Sequence, residues 1–366
     1  MEKAYRYRIY PNKQQEELIQ KTFGCVRFVY NYYLNKRKVL YETEKVSFTY
    51  NMCSKDLTSL KKENGWLKEP DKDSLQKSLK DLDIAYQKFF REHTGYPKFK
   101  SKKDRYKSYR TNCTNNNIRF EAKYIRLPKL GLIKIRDKQI PQGRILNATI
   151  SQEPDGRYYC SLCCTDIQIE QYPKTNKNVG IDLGICDFAI LSDGSKIENP
   201  RFYEKSEKKL AKLQRELSRK AIGGSNWNKV RIKVAKLQAH ISNQRKDFLQ
   251  KLSTVIVKDF DIIAMEDLDV MSMKETDSKI RNKRIDDVSW SEFRRMITYK
   301  SQWYGKQLVI IDRYYPSSQI CYYCGYRDGK KSEDIRNWVC PNCHSELDRD
   351  INASINILNE GLRQIN

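Results

Sequence analysis

The sequence predicts a multidomain α+β protein: a small β-barrel with an inserted helical domain, then an alternating α/β domain carrying a metal-binding ribbon. Three observations predict this. One alternating strand at the start is followed by a long helical pattern and only afterwards by a series of short strands. From residue 178 onward, apolar strands alternate with long amphipathic helices, the order expected of an α/β domain. Close to the C-terminus, two C-x-x-C pairs stand fifteen residues apart. At 366 residues the chain has room for two or three domains, each with its own core.

Residues 3–10 place Tyr5, Tyr7 and Ile9 on one face and Arg6 and Arg8 on the other, the period of a strand. Pro11 and Asn12 break it, and Asn12 with Gln15 predicts a capping box that opens a helix. The helical pattern runs to about 105. Cys25, Val26, Phe28, Val29, Tyr32 and Tyr33 line one helix, and Leu75, Leu79, Leu82, Tyr86, Phe89 and Phe90 line another. Over residues 95–109, basic residues interleave with Tyr96, Phe99, Tyr106 and Tyr109, a mixture that suits phosphates and stacked bases, with a solvated charged loop as the alternative. Strands are predicted at 118–120, 124–127, 132–135, 145–151 and 158–164, the last two around a Pro154-Asp155-Gly156 turn. Residues 168–177 read as a linker.

The next pattern begins with Val179-Gly180-Ile181-Asp182-Leu183-Gly184, a buried strand ending in a carboxylate. Strands at 188–191 and 196–198 flank an Asp193-Gly194 turn. Leu210, Leu213 and Leu217 then mark one long helix; Val230, Val234, Leu237, Ile241, Phe248, Leu252 and Val255 mark a second. Residues 261–268 form another buried strand ending in an acid. A helix around 289–304, a strand at 308–312, the ribbon and a terminal helix from about 348 complete the chain, with Asp348 capping that helix and Asp350 facing inward.

Lys and Arg total 70 against 46 Asp and Glu, a net charge of +24. An excess of that size favours a polyanionic partner, nucleic acid ahead of a membrane surface. No apolar run reaches transmembrane length, and the opening residues read as a strand rather than a secretion signal, so the expectation is a soluble intracellular protein. Cys25, Cys53, Cys113, Cys160, Cys163, Cys164 and Cys186 lack framework spacing and fit small core residues in a reducing compartment. With only three histidines, chemistry built on carboxylates and metal ions has more candidates than chemistry built on a histidine base.

Cys321, Cys324, Cys340 and Cys343 can supply four thiolates to one tetrahedral, structural Zn²⁺; two disulfides are the alternative, against which the rest of the chain argues. Asp182, Glu266 and Asp350 each end an apolar strand or open a helix, where an unpaired charge is costly unless something positive meets it. Taken singly, Asp182 reads as a turn residue and Glu266 as a partner for a lysine. Together, on so basic a chain, the three point to an RNase H-like nuclease. Two Mg²⁺ ions held by such acids would serve in-line phosphodiester cleavage, one readying the water and the other stabilising the leaving oxygen. Gly180 and Gly184, flanking Asp182, are expected to let backbone and substrate come close. Asp267 and Asp269 are nearby decoys.

The motifs Gly180-Ile181-Asp182-Leu183-Gly184, Met265-Glu266-Asp267-Leu268, Asp312-Arg313 with Pro316-Ser317-Ser318, the four cysteines, and Asp348-Arg349-Asp350-Ile351-Asn352-Ala353 with Asn356-Ile357 resemble the signatures of TnpB proteins. These are transposon-encoded, RNA-guided DNA nucleases related to compact type V CRISPR effectors. Tyr7-Arg8-Ile9-Tyr10-Pro11 and Gly24-Cys25-Val26-Arg27-Phe28-Val29-Tyr30-Asn31 resemble the same family, so the likeness covers nearly the whole chain. The resemblance implies a wedge β-barrel domain at 1–11 and 107–175, a helical recognition domain at 12–106, and a RuvC-like nuclease domain at 176–366 with a zinc ribbon inserted at 317–346. It implies that Asp182, Glu266 and Asp350 are catalytic acids binding Mg²⁺. Its implied partners are a noncoding guide RNA and double-stranded target DNA, with one protein copy per RNA, in the cytoplasm and on the nucleoid when bound to DNA. Lys72 and Gln76, one turn apart, resemble residues that touch the short target-adjacent motif, and read equally as an exposed helix face.

Two positions depart from the pattern. Leu347 stands where many members carry His, and Gln250 stands where many carry another. Neither is one of the three acids. Other readings are an effector guided from a CRISPR array, a nuclease-inactive guided repressor, which an intact acid triad argues against, and a transposase that needs no guide.

Overall fold

Strand β1 (Lys3–Tyr10) turns directly into helix α1 (Lys13–Glu44) because Asn12 caps the helix. Its side chain accepts from the Gln15 amide while the Gln15 side chain accepts from the Asn12 amide, the predicted reciprocal box. The structure, a computed structural model, describes residues 1–137, 139–274, 278–332 and 335–365, and it divides into two compact units, Met1–Gln168 and Ile169–Asn366.

In the first unit, α1 is followed by α2 (Tyr50–Glu63) and α3 (Lys72–Arg91). Leu75, Leu79 and Leu82 of α3 are buried, and Ser78 Oγ donates to the Val26 carbonyl of α1 at 2.6 Å. The helical pattern ends at Arg91 rather than near 105. Strands β2 (Lys107–Asn112), β3 (Arg119–Glu121), β4 (Tyr124–Leu127), β5 (Gly131–Ile135), β6 (Arg144–Gln152) and β7 (Tyr158–Thr165) join β1 in one antiparallel sheet of order β2-β6-β7-β1-β5-β4-β3. β1 sits inside it, pairing β7 from Lys3↔Cys164 to Ile9↔Tyr158 and β5 at Ile9↔Ile135. Strand β2 takes the end of the basic and aromatic segment into this sheet. Tyr109 is buried there and meets Phe23 edge-on at 5.8 Å, so it is core rather than a stacking surface.

The second unit contains β8 (Asn178–Leu183), β9 (Asp187–Leu191), β10 (Lys196–Glu198), α4 (Phe202–Ser218), α5 (Ser225–Asp259), β11 (Ile262–Glu266), α6 (Lys279–Val288), α7 (Trp290–Tyr304) and β12 (Gln307–Ile311). A small hairpin of β13 (Asn337–Val339) and β14 (Glu346–Asp348) precedes α8 (Arg349–Arg363). The main sheet has the order β10-β9-β8-β11-β12, with β8, β11 and β12 parallel and the other two antiparallel. Helices cover both faces. Val179, Ile181, Ile263 and Met265 pack with Leu249 and Ile256 of α5 and Phe293 and Met296 of α7. The alternating positions face the other way, where Ala264 meets Ile357 of α8.

That second face explains one glycine. A Cβ on Gly180 would fall 2.0 Å from the Ser354 carbonyl oxygen, so the α8 backbone lies directly on β8. The space expected for substrate at Gly180 is filled by a helix. At Gly184 a Cβ would fall 2.8 Å from the Asp187 carbonyl oxygen, which the tight turn into β9 excludes.

Residues 169–175 pack with the second unit, so packing divides the chain before them rather than after. Tyr172 stacks on Tyr304 with centroids 4.1 Å apart, and the Asp261 carboxylate accepts from the Thr175 and Asn176 amides. No helix among the described residues is long and apolar enough to cross a membrane.

Candidate active site

Asp182 and Glu266 occupy the C-terminal ends of adjacent parallel strands. The β8–β11 register sets Met265 opposite Ile181, which brings Glu266 level with Asp182. Both point away from the α5–α7 core, because each lies one residue beyond a core-facing neighbour. Asp350 comes from the first turn of α8 and is buried. Asp348 caps that helix as expected, accepting from the Asp350 and Ile351 amides at 3.0 Å, and Lys196 pairs with its other oxygen at 2.6 Å.

The three acids share one electrostatic environment. Burial first, then the charges of Glu266 and Asp350, push the Asp182 carboxyl up to about 8 against the opposing pull of Arg349 and Arg336. Burial also raises Glu266, while the Ser317 hydroxyl donates to its Oε1 and works the other way. Mutual repulsion of this kind is what a divalent cation among hard oxygen ligands relieves. The decoys behave differently. Asp267 is held below the usual carboxylate range by Arg294 and Arg313, and Asp269 by the Ser272 backbone and then Arg313.

Several supporting contacts, and Arg336 itself, are not legible in the sequence, although Ser317, Arg349, Asn352 and Asn356 lie in the motifs named above. Asn352 and Asn356 of α8 donate their side-chain amides to the Ser317 and Ile320 carbonyls, which fixes the turn that presents Ser317 to Glu266. Arg336, just before β13, donates to Asp350 Oδ2, and Arg349 donates to its Oδ1 at 3.1 Å. Arg336 also reaches the Cys186 sulfur at 3.4 Å. Except for the adjacent Arg349 and Asp350, these pairs join residues far apart in sequence or across the ribbon turn, so no local pattern announces them.

In the ribbon, the Cys321–Cys343 and Cys324–Cys340 sulfurs are each 3.6 Å apart, and all four lie within 4.8 Å of one another. Tetrahedral zinc at about 2.3 Å from each sulfur sets them roughly 3.8 Å apart, so the cluster fits that ion. The Ser345 hydroxyl and amide pull the Cys343 thiol down to about 6, toward the thiolate a metal needs. Leu347 is buried here with Trp338, Cys321 and Cys340. Gln250 lies elsewhere, on α5, hydrogen-bonded to the Tyr299 hydroxyl at 3.2 Å.

Lys72 and Gln76 lie on α3 in the first unit. Lys72 is exposed in the first turn. Gln76 is half-buried and its Oε1 accepts from Ser54 Oγ at 3.1 Å and Tyr50 Oη at 3.3 Å, bracing α2.

Three family descriptions match the chain: "Probable transposase" over residues 161–277, "Cas12f1-like, TNB domain" over 290–357, and "Helix-turn-helix domain" over 1–45. The last covers β1 and the single long helix α1. The fold is similar to those of two solved structures. The chain is similar to a Cas12f1 in complex with guide RNA and target DNA, with 12% identity, TM-score 0.51 and coverage of 98% of this chain and 99% of that one. It is also similar to the mini-RNA-guided endonuclease CRISPR-Cas_phi3, with 11% identity, TM-score 0.50 and coverage of 99% and 92%. A Streptomyces pristinaespiralis protein named "Putative RNA-guided DNA endonuclease" is 38% identical over 99% of this chain and 90% of its own length. InsQ of Escherichia coli K12, which bears the same description, is 32% identical over 98% and 92%. The chain therefore belongs to the TnpB family.

Proposed function

We propose that this chain is an RNA-guided DNA endonuclease that hydrolyses phosphodiesters at Asp182, Glu266 and Asp350. The observation that carries this reading is the approach of three acids, from β8, β11 and α8, with burial and the charges of Glu266 and Asp350 raising Asp182 on the fold of this family. Relatives spanning nearly the whole chain bear the endonuclease name. The sheet order, with the first three strands antiparallel and the last two parallel to the first, supports an RNase H-like, RuvC-type nuclease unit.

The donor set suits Mg²⁺, which prefers carboxylate oxygens. Held by Asp182, Glu266 and Asp350, a pair of such ions would supply Lewis acidity for the attacking water and for charge on the leaving oxygen. The protein's own part is positional. The sheet fixes Asp182 and Glu266 side by side, Ser317 orients Glu266, and α8 brings in Asp350 with its oxygens steered by Arg336 and Arg349. Zinc held by Cys321, Cys324, Cys340 and Cys343 stabilises the ribbon that carries Arg336.

In this reading the sheet of the first unit is a wedge domain and its helices are a recognition domain, with Lys72 and Gln76 facing the target-adjacent motif. A noncoding RNA guides one protein copy to double-stranded DNA, where base pairing reads sequence and the protein reads shape and the short motif. The net charge of +24 suits that load of phosphates. The test is purification from cells carrying the native flanking DNA, sequencing of the bound RNA, and replacement of its guide segment. Cleavage that follows the new guide supports the reading, whereas cleavage indifferent to the guide or to RNase contradicts it.

A further inference from the structure

We propose that the cavity beside Glu266 is a seat for one unpaired DNA base next to the phosphate to be cut; this rests on the endonuclease reading above. The cavity is about 260 Å³ and is walled by Leu183, Leu268, Val270 and Trp290, with Glu266 on its edge. That size falls below the roughly 300 Å³ at which pockets for drug-sized molecules begin, which suits a single ring system and not a base pair.

Three features select a nucleotide base over a purely apolar occupant. Trp290 is 2% exposed, and its indole Nε1–H has no hydrogen-bond partner among the described residues. A buried donor without a partner is costly, and the ring nitrogens and carbonyls of a base are acceptors. Arg294 and Arg295 also line the cavity. Arg294 gives Nη1 to Asp267, and Arg295 gives Nε and Nη2 to Glu292, so each guanidinium retains donors that a flanking phosphate can take. Finally, Glu266 borders this cavity as well as the acid site on the other side of its strand end, so a base held here sets the register of the backbone passing Glu266. Hydrolysis at such a site depends on placing the phosphate to within about 1 Å. A base already unpaired by the guide enters with little unstacking cost.

The proposal is tested with the full chain loaded with its guide RNA, on target strands carrying one abasic residue at successive positions around the cut. One position is expected to lower kcat/KM about tenfold or more while its neighbours change little, the scale of one lost base–aromatic contact. Trp290→Phe, and separately Leu268→Trp at a half-buried position that fills the cavity, are expected to remove that contrast between intact and abasic strands. An active wild type that cuts the whole abasic series equally would overturn the base seat while leaving the endonuclease reading intact. No cleavage of any strand would overturn both.

Discussion

The two metal-directed clusters of this protein are built in opposite ways. The four thiols of the ribbon lie within one short segment, and the buried hydrophobic cluster around them is little more than Trp338 and Leu347. Such a segment buries little apolar surface, so in the proposed reading a bound metal would serve as its core. The three carboxylates come from β8, β11 and α8, and stand on a sheet whose core of Val179, Ile181, Ile263, Met265, Phe293 and Met296 owes nothing to them. Here the scaffold forces like charges together. The difference teaches that, in the proposed reading, metal binding at the thiols would serve structure, while metal binding at the acids would relieve a repulsion the scaffold imposes.

The largest effect that would break this contrast is on activity. Asp182→Ala is expected to lower guided cleavage by roughly three orders of magnitude or more, the scale for removing one member of a unit that acts together. Its melting temperature without Mg²⁺ should stay level or rise, because a crowded carboxylate has gone. A sharp fall in melting temperature alongside lost cleavage would make Asp182 structural. Next in size, Cys340→Ser should lower zinc content and open the ribbon to limited proteolysis, with the main sheet still folded. Full zinc occupancy in that variant would undo the ribbon assignment. A smaller effect is expected for Ser317→Ala, which removes the hydroxyl that orients Glu266 and should reduce kcat about tenfold. A lost hydrogen bond to a charged group, roughly 1.5–3 kcal/mol, is of that order. Unchanged kcat at saturating Mg²⁺ would mean that Glu266 needs no such support.

The smallest effect is on stability against pH. Asp182 titrates near 8 in the metal-free fold, against an ordinary value of 3.8, and burial raises Glu266 in the same direction. Between those values the folded chain holds more protons than the unfolded one. The stability this contributes is complete below about pH 4 and is lost as pH rises through 8. Thermal melts of the Mg²⁺-free protein should therefore decline across that window, and Asp182→Asn should flatten the decline.

How much of this was legible in the sequence follows from the same contrast. Apolar runs that end in acids mark β8 and β11 because burial and charge rarely sit side by side without cause, and Asn12 with Gln15 announces its cap locally. The cysteine spacing declares the ribbon for the same reason, since its ligands are neighbours in sequence. Strand β2 is hidden because Tyr109 and Thr111 sit among Lys107 and Arg110 in a stretch that reads as basic loop, and only the neighbouring strand β6 makes it a ladder. Helix α6 is too polar to show an apolar face: the segment from Lys279 is dominated by charged and amide side chains. Arg336, and the role of Ser317 beyond its place in a motif, are hidden because their carboxylate partners lie 14 and 51 residues away. Gly180 gives the close backbone approach its sequence suggests, but the sequence does not say that the backbone is that of a helix more than 170 residues later rather than room for substrate.

The measurement that tests the central claim most directly is metal content and guided plasmid cleavage on one sample, dialysed against Mg²⁺-free buffer without chelator and then given Mg²⁺ back. The account predicts one retained zinc per chain, no cleavage until Mg²⁺ returns, full recovery in wild type, and none in Asp182→Ala. Cleavage in the absence of added divalent ion, or recovery in Asp182→Ala, would contradict it.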